Sequence, residues 1–172
     1  MLQQVAKLHP DSKRIHIGAD EVYFIGRCNT CMERMIGKLW SNADLFLDHV
    51  STVAKFVVQN LGIQPMMWDD EFRSLPEEQI ARSGIGRLVD LVVWNYKPTL
   101  DLDHEIWRKY LNIFDSIWAA SAFKGATGSN QQITSIPYHI ENHRAWIRLV
   151  AEYRNTAYIK KFKGIMLTGW SR

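Results

Sequence analysis

RIHIGADEVYF, residues 14–24, climbs through a strand-like apolar run to Gly18-Ala19 and then sets two carboxylates, Asp20 and Glu21, side by side. Alternation puts Ile15, Ile17 and Ala19 on one face of this strand and His16, Gly18 and Asp20 on the other, with Glu21 just past its end. Two α/β architectures use strands of this kind. A doubly wound sheet wants a glycine-rich phosphate loop after its first strand, and HIGADEV is not one. A (β/α)8 barrel instead collects functional side chains at the carboxyl ends of its strands, which is where Asp20 and Glu21 fall.

Downstream the pattern keeps switching between a period of 3.6 and near-continuous apolar runs. MLQQVAKLHP reads as the last turns of a helix followed by a Pro-Asp turn. After a long connection over 24–42, the residues Leu47, Val50, Ala54, Val57, Val58 and Leu61 mark a helix face, with Gly62 as its C-terminal cap. A short strand ends in MMWDD (66–70), and Ser74 with Glu77 predicts a capping box with Pro76 in the first turn. A strand over 88–96 follows, then a helix carrying Ile106, Trp107, Tyr110, Ile113 and Phe114. Next come a strand over 116–123, the loop KGATGSNQQ, and a helix opened by Pro137 with Ile140, Trp146, Ile147 and Val150 inward. The last strand spans 164–170.

Five strands separated by helices predict an α/β fold with parallel β/α units. A whole barrel needs roughly 250 residues, and this chain has 172. It begins near the end of a helix and finishes on a strand. The expectation is therefore a single partial domain, 1–172, forming the C-terminal portion of a TIM (β/α)8 barrel.

Composition narrows the function classes. At 47% hydrophobic and 23% charged residues the chain is an ordinary globular one, and a net charge of +3 without basic clustering gives no nucleic-acid footprint. No apolar run approaches the roughly 18 residues of a membrane span. Cys28 and Cys31 have no further paired Cys or His to complete a zinc site, and they read as unremarkable thiols. Sparse cysteine suits an intracellular protein.

Seven tryptophans are the anomaly, and four of them, Trp68, Trp94, Trp118 and Trp170, fall on or beside predicted strands. Indoles stack on the C–H faces of sugars, and adjacent carboxylates that resist joint ionisation keep one proton available. A mouth walled by indoles with an acid pair at its edge fits a sugar-cleaving site. Glu21, with the longer reach, is the expected proton donor, and Asp20 stays ionised.

At these residues the chain resembles the β-N-acetylhexosaminidases of glycoside hydrolase family 20, whose H-x-G-x-D-E signature matches HIGADEV. The resemblance continues through MMWDDEFRSLPEEQIARSGI, VVWNYKP, IWAASAFKGATG and GIMLTGWSR, in order over nearly the whole chain. It implies strands four to eight of the barrel, with strands one to three missing. It also implies a retaining reaction in which the substrate's own 2-acetamido oxygen attacks the anomeric carbon to form an oxazolinium. Glu21 would be the general acid and base, and Asp20 would orient the acetamido N–H.

By the same resemblance Trp68, Trp94 and Trp170, with Trp118, would wall the acetamido group, and Asp69 would reach sugar hydroxyls. His16 would support Asp20 from below. WAASAFKG lacks the phenol and carboxylate that the family brings from that strand, so Tyr96 is the candidate phenol. No cofactor or metal is implied. Partners would be N-acetylhexosamine-terminated glycans or glycoconjugates, with no nucleic acid or membrane and a homodimer left open. The resemblance favours the cytoplasm and nucleus. A fragment truncated at both ends would show little activity alone.

Two other classes stay open. A carbohydrate-binding remnant would bind sugar without turnover. A metal-dependent hydrolase would gather Asp20, Glu21, Asp69 and Asp70 around Mg²⁺ and lose activity in chelator.

Overall fold

The alternating periods fold into alternating helices and strands in the computed structural model, which describes residues 1–170; Ser171 and Arg172, the tail of the GIMLTGWSR block, lie outside the described residues. Along the chain run α1 (Leu2–Leu8), β1 (Arg14–His16), α2 (Asn29–Lys38), α3 (Asn42–Phe56) and β2 (Gln64–Trp68). Then come α4 (Asp70–Arg73), α5 (Glu77–Ser83), β3 (Asp90–Trp94), α6 (His104–Ile113), β4 (Ile117–Lys124), α7 (Ile136–Glu152) and β5 (Phe162–Gly169). The strands belong to one five-stranded sheet in the order β1-β2-β3-β4-β5, with β1/β2 and β4/β5 parallel. This order lacks the reversal of a doubly wound sheet and is compatible with part of a barrel. The chain packs as two units, Met1–Leu91 and Val92–Arg172.

In the first unit, Ser41 starts α3 through a reciprocal capping box. Asp44 N–H donates to Ser41 Oγ at 3.2 Å, and Ser41 N–H donates to Asp44 Oδ2 at 2.9 Å. This helix buries Leu45, Phe46, Leu47, Val50 and Ala54, and Phe46 meets Phe72 edge to face at 5.7 Å. A π-helical turn over Val57–Leu61 then rotates the register, so Val58 is exposed rather than part of the expected face. Gly62 closes the turn at φ 65°, as expected of the cap. The start of β1 is tied to the start of β3 by Arg14 Nε donating to buried Asp90 at 3.0 Å.

Two expectations are corrected here. The connection over 24–42 contains α2, a helix with no buried residue and hence no apolar stripe to reveal it. The capping box expected from Ser74 and Glu77 does not form: Pro76 is the N-cap of α5 without a side-chain cap, and Ser74 closes α4.

In the second unit, α6 buries Trp107, Tyr110 and Leu111, each worth about 1.5–3 kcal/mol when fully removed from water. Its last carbonyls are capped by Lys161, whose Nζ donates to Leu111 O at 2.8 Å and Phe114 O at 2.9 Å. Pro137 lies in the first turn of α7 as expected, but the inward face of that helix is His139, Asn142 and Trp146. Ile140 and Ile147 are exposed, a correction of the expected stripe. Polar residues face inward because they have work there. Asn142 Nδ2 donates to Asn95 O at 2.9 Å and to Lys97 O at 2.7 Å, and Trp146 Nε1 donates to Asn95 O at 3.0 Å. The chain leaving β3 is held by this clamp.

Replacing Asn142 with alanine strips the Lys97 carbonyl of the donor that α7 gives it and opens a cavity beside Trp146. The expected cost is about 1–3 kcal/mol, read as a lower urea midpoint at unchanged slope. An unchanged midpoint would show that the clamp contributes nothing.

Candidate active site

The acid pair sits on a turn of unusual backbone geometry. The ladder of β1 continues past its last residue, with Ile17 N–H donating to Met66 O at 2.8 Å and Trp68 N–H to Gly18 O at 3.1 Å. Then Gly18, Ala19 and Glu21 all take positive φ, at 78°, 70° and 52°. For Ala19 and Glu21 this left-handed conformation costs about 1–2 kcal/mol each. Residues from the first turn of α4 hold it. Glu21 N–H donates to Asp70 Oδ2 at 2.8 Å, and Val22 N–H donates to Glu71 Oε1 at 2.7 Å. Asp20 and Glu21 are both exposed, and their side chains stand out from a turn whose backbone is fixed.

Tyr23 was not singled out by sequence reasoning, yet it belongs to this turn. Its N–H donates to Glu21 O at 2.9 Å. A hydrogen bond to the Glu21 carboxylate is the first cause pushing its phenol above the ordinary range, followed by burial and the charges of Glu21, Asp70 and Glu71. The left-handed φ at Glu21 folds the chain back so that residues two apart meet, a contact that alternation along a strand does not anticipate.

His16 lies beneath the turn. Its Nδ1 accepts from Gly18 N–H at 3.0 Å, so the ring proton sits on Nε2, which has no hydrogen-bond partner among the described residues. The ring packs on Trp68 with centroids 4.4 Å apart at 47°. Burial lowers the imidazole to about 4, which keeps it neutral. The structure thus gives His16 a backbone partner, Gly18, as its support for the turn.

Asp69 and Asp70 divide differently from expectation. Asp69 is wholly buried, and both its oxygens accept from Arg73 at 2.8 Å, a pair that anchors α4. Asp70 is the one that reaches the acidic turn. Among the described residues no three His, Cys, Asp or Glu side chains are arranged to hold a metal ion, so the four carboxylates of the metal reading do not converge.

In the second unit the structure gathers three of the predicted aromatics. Trp94 and Tyr96 stack at 5.3 Å and 29°, and Tyr96 meets Trp170 edge to face at 6.4 Å. Trp170 N–H donates to Lys124 O at 3.3 Å. Its carbonyl passes so close to Gly125 (φ 75°) that a Cβ there would collide with it. Trp118 stands earlier on its strand. It is the second residue of β4, near the amino end, where its ring covers Gly164 at a distance of 2.8 Å from the position of a Cβ. Six residues of strand, roughly 20 Å, separate it from the carboxyl end.

Hexosaminidase D of Homo sapiens is 38% identical over 176 aligned positions, which take in 100% of this chain and 35% of that protein. The chain is similar to hexosaminidase D. The Bos taurus protein of the same name is 39% identical over 176 positions, covering 100% of the chain and 50% of that relative. The chain therefore spans between about a third and a half of the length of these curated relatives. No family model matches the chain. Among the described residues no helix is long and apolar enough to cross a membrane.

The neutral His16 makes the turn acid-sensitive. The unfolded imidazole takes up its proton near 6.5 and the folded one only near 4, so the full stabilisation is present above 6.5 and is lost as pH falls towards 4. The loss reaches on the order of 3 kcal/mol. His16→Asn keeps an acceptor for Gly18 N–H without the titration. Urea denaturation across pH 4–7 is expected to fall less steeply for the variant than for the wild type. Parallel curves would contradict the assignment.

Proposed function

We propose that the protein is a β-N-acetylhexosaminidase of the family 20 type, removing terminal β-linked N-acetylgalactosamine or N-acetylglucosamine. The observation that carries this reading is the exposed Asp20-Glu21 pair on a turn fixed by Asp70 and Glu71. The whole-chain identity with two proteins named hexosaminidase D supports it. Glu21 protonates the glycosidic oxygen and, after the aglycone leaves, takes a proton from the attacking water. Asp20 accepts from the acetamido N–H, which orients the carbonyl oxygen towards the anomeric carbon and stabilises the charge on the oxazolinium. The Tyr23 phenol stabilises the Glu21 carboxylate between these steps.

Trp94, Tyr96 and Trp170 are the aromatic faces proposed to meet the sugar, and Trp68 with His16 forms the floor under the acid turn. Asp69, held by Arg73, is left out of the sugar contacts, and Trp118 is placed in strand packing. The five strands are proposed to be strands four to eight of a (β/α)8 barrel. Since the relatives are longer, residues 1–172 alone are expected to turn substrate over poorly. The cytoplasm and nucleus are the proposed compartments.

One observation favours a second reading, binding without turnover: Trp94, Tyr96 and Trp170 pack on one another within the second unit, as the aromatic wall of a sugar-binding surface would. The test is hydrolysis of aryl β-N-acetylgalactosaminide and glucosaminide by the full-length protein that carries these residues. Glu21→Gln is expected to lower kcat by about 10²–10⁴-fold, Asp20→Asn by about 10²–10³-fold, and chelator is expected to change nothing. Saturable sugar binding with no turnover in a folded full-length protein would establish the second reading, and loss of activity in chelator would restore the metal one.

A further inference from the structure

The turn after the acid loop carries a feature that glycoside hydrolysis does not use. Cys28 is the N-cap of α2, and its Sγ accepts from Cys31 N–H at 3.4 Å. Cys28-Asn29-Thr30-Cys31 therefore opens a helix with one thiol at the cap and the other one turn on, and the two thiols are hydrogen-bonded to each other. Cys28 is exposed to solvent. Cys31 is half-buried and lines a cavity of about 400 Å³ shared with Ile17, Ala19, Val22 and Val50.

We propose that Cys28 and Cys31 form a reversible dithiol–disulfide pair, with Cys28 as the attacking thiol and Cys31 as the resolving one, taking low-molecular-weight disulfides as oxidant. The proposal departs from the reading of the two cysteines as unremarkable thiols, because the helix that α2 supplies was not visible in the sequence. A disulfide spanning two intervening residues at a helix start is a redox geometry, and in a thiol-poor chain it is more often catalytic or sensing than structural.

Exposure divides the roles, with Cys28 open to solvent and Cys31 half-buried, and the electrostatics run the same way. The Cys31 thiol donates to Cys28, which is the first cause holding Cys28 below the ordinary thiol range; backbone N–H groups of the first turn add to it. The same bond raises Cys31, with burial and the Cys28 charge contributing and Arg34 opposing. An exposed thiol held below its ordinary range beside a half-buried partner is the arrangement of a redox-sensing pair.

The exchange balances without another reactant. Cys28 thiolate attacks one sulfur of the small disulfide, forming a mixed disulfide and releasing one thiolate, which takes a proton from water. Cys31 then loses its proton and attacks Cys28 Sγ, forming the Cys28–Cys31 bond and releasing the second thiol. Two protein thiols are oxidised, and one disulfide is reduced to two thiols. The proposal is independent of the hydrolase reading, since neither sulfur touches the acid pair's function.

The test is a titration of the natively folded chain in glutathione redox buffers, followed by alkylation and peptide mass mapping. Loss of two hydrogens from the peptide holding both cysteines, reversed by reduced glutathione, is expected. Cys31→Ser is expected to accumulate a glutathione adduct on Cys28, whereas Cys28→Ser forms an adduct on Cys31 at least about tenfold more slowly. Serine is a favoured N-cap, so Cys28→Ser should fold, with circular dichroism as the check. A disulfide that appears only in urea, or equal adduct rates at the two cysteines in the folded variants, would overturn the proposal.

Discussion

Two backbone N–H groups, those of Glu21 and Val22, donate to the carboxylates of Asp70 and Glu71, and the exposed acid pair depends on these bonds. Ala19 and Glu21 hold left-handed φ at about 1–2 kcal/mol each. Hydrogen bonds to charged acceptors return about 1.5–3 kcal/mol each, the same size as the strain. Without them the turn would relax, and Asp20 and Glu21 would become ordinary loop carboxylates. With them, the first turn of α4 fixes where β1 delivers its charges. Asp69 completes the arrangement from below by fastening α4 through Arg73, so three consecutive acids, Asp69, Asp70 and Glu71, all serve to place two others.

The second unit solves a parallel problem with neutral groups. The chain leaves β3 through Asn95, whose carbonyl would be buried without a ladder partner, and α7 turns a polar face inward to meet it. Asn142 and Trp146 fix the exit of the strand, and Trp94 and Tyr96 on either side of Asn95 stack on each other. Both units thus put rigidity at the carboxyl end of a strand, where an α/β fold presents its functional groups.

Much of the fold was legible because burial imposes periodicity. The strand through LVDLVVW and the helix carrying Trp107 and Tyr110 could hardly be read otherwise, and the acid pair and three aromatics stood at strand ends as expected. What failed to show has physical causes. Helix α2 has no fully buried residue, so no stripe announces it, and the N-cap position of Cys28 was hidden with it. The inward face of α7 is made of His139, Asn142 and Trp146, which a hydrophobic pattern passes over. In the Asp69-Asp70 pair, one residue turns into the core and the other towards the loop, a choice made by Arg73 and the Glu21 N–H. Trp118 sits near the amino end of its strand, and strand ends are the boundaries that composition marks least. Tyr23 returns to Glu21 only because the backbone there is left-handed.

The most direct measurement compares turnover of aryl 2-acetamido-glycosides whose acetyl group carries zero, one, two or three fluorines, using the full-length protein. Each fluorine withdraws electrons from the carbonyl oxygen that the account makes the nucleophile. A rate that falls steeply and monotonically across the series is predicted. A flat series would mean that an enzyme side chain or water makes the attack, and the roles given to Asp20 and the acetamide would be wrong.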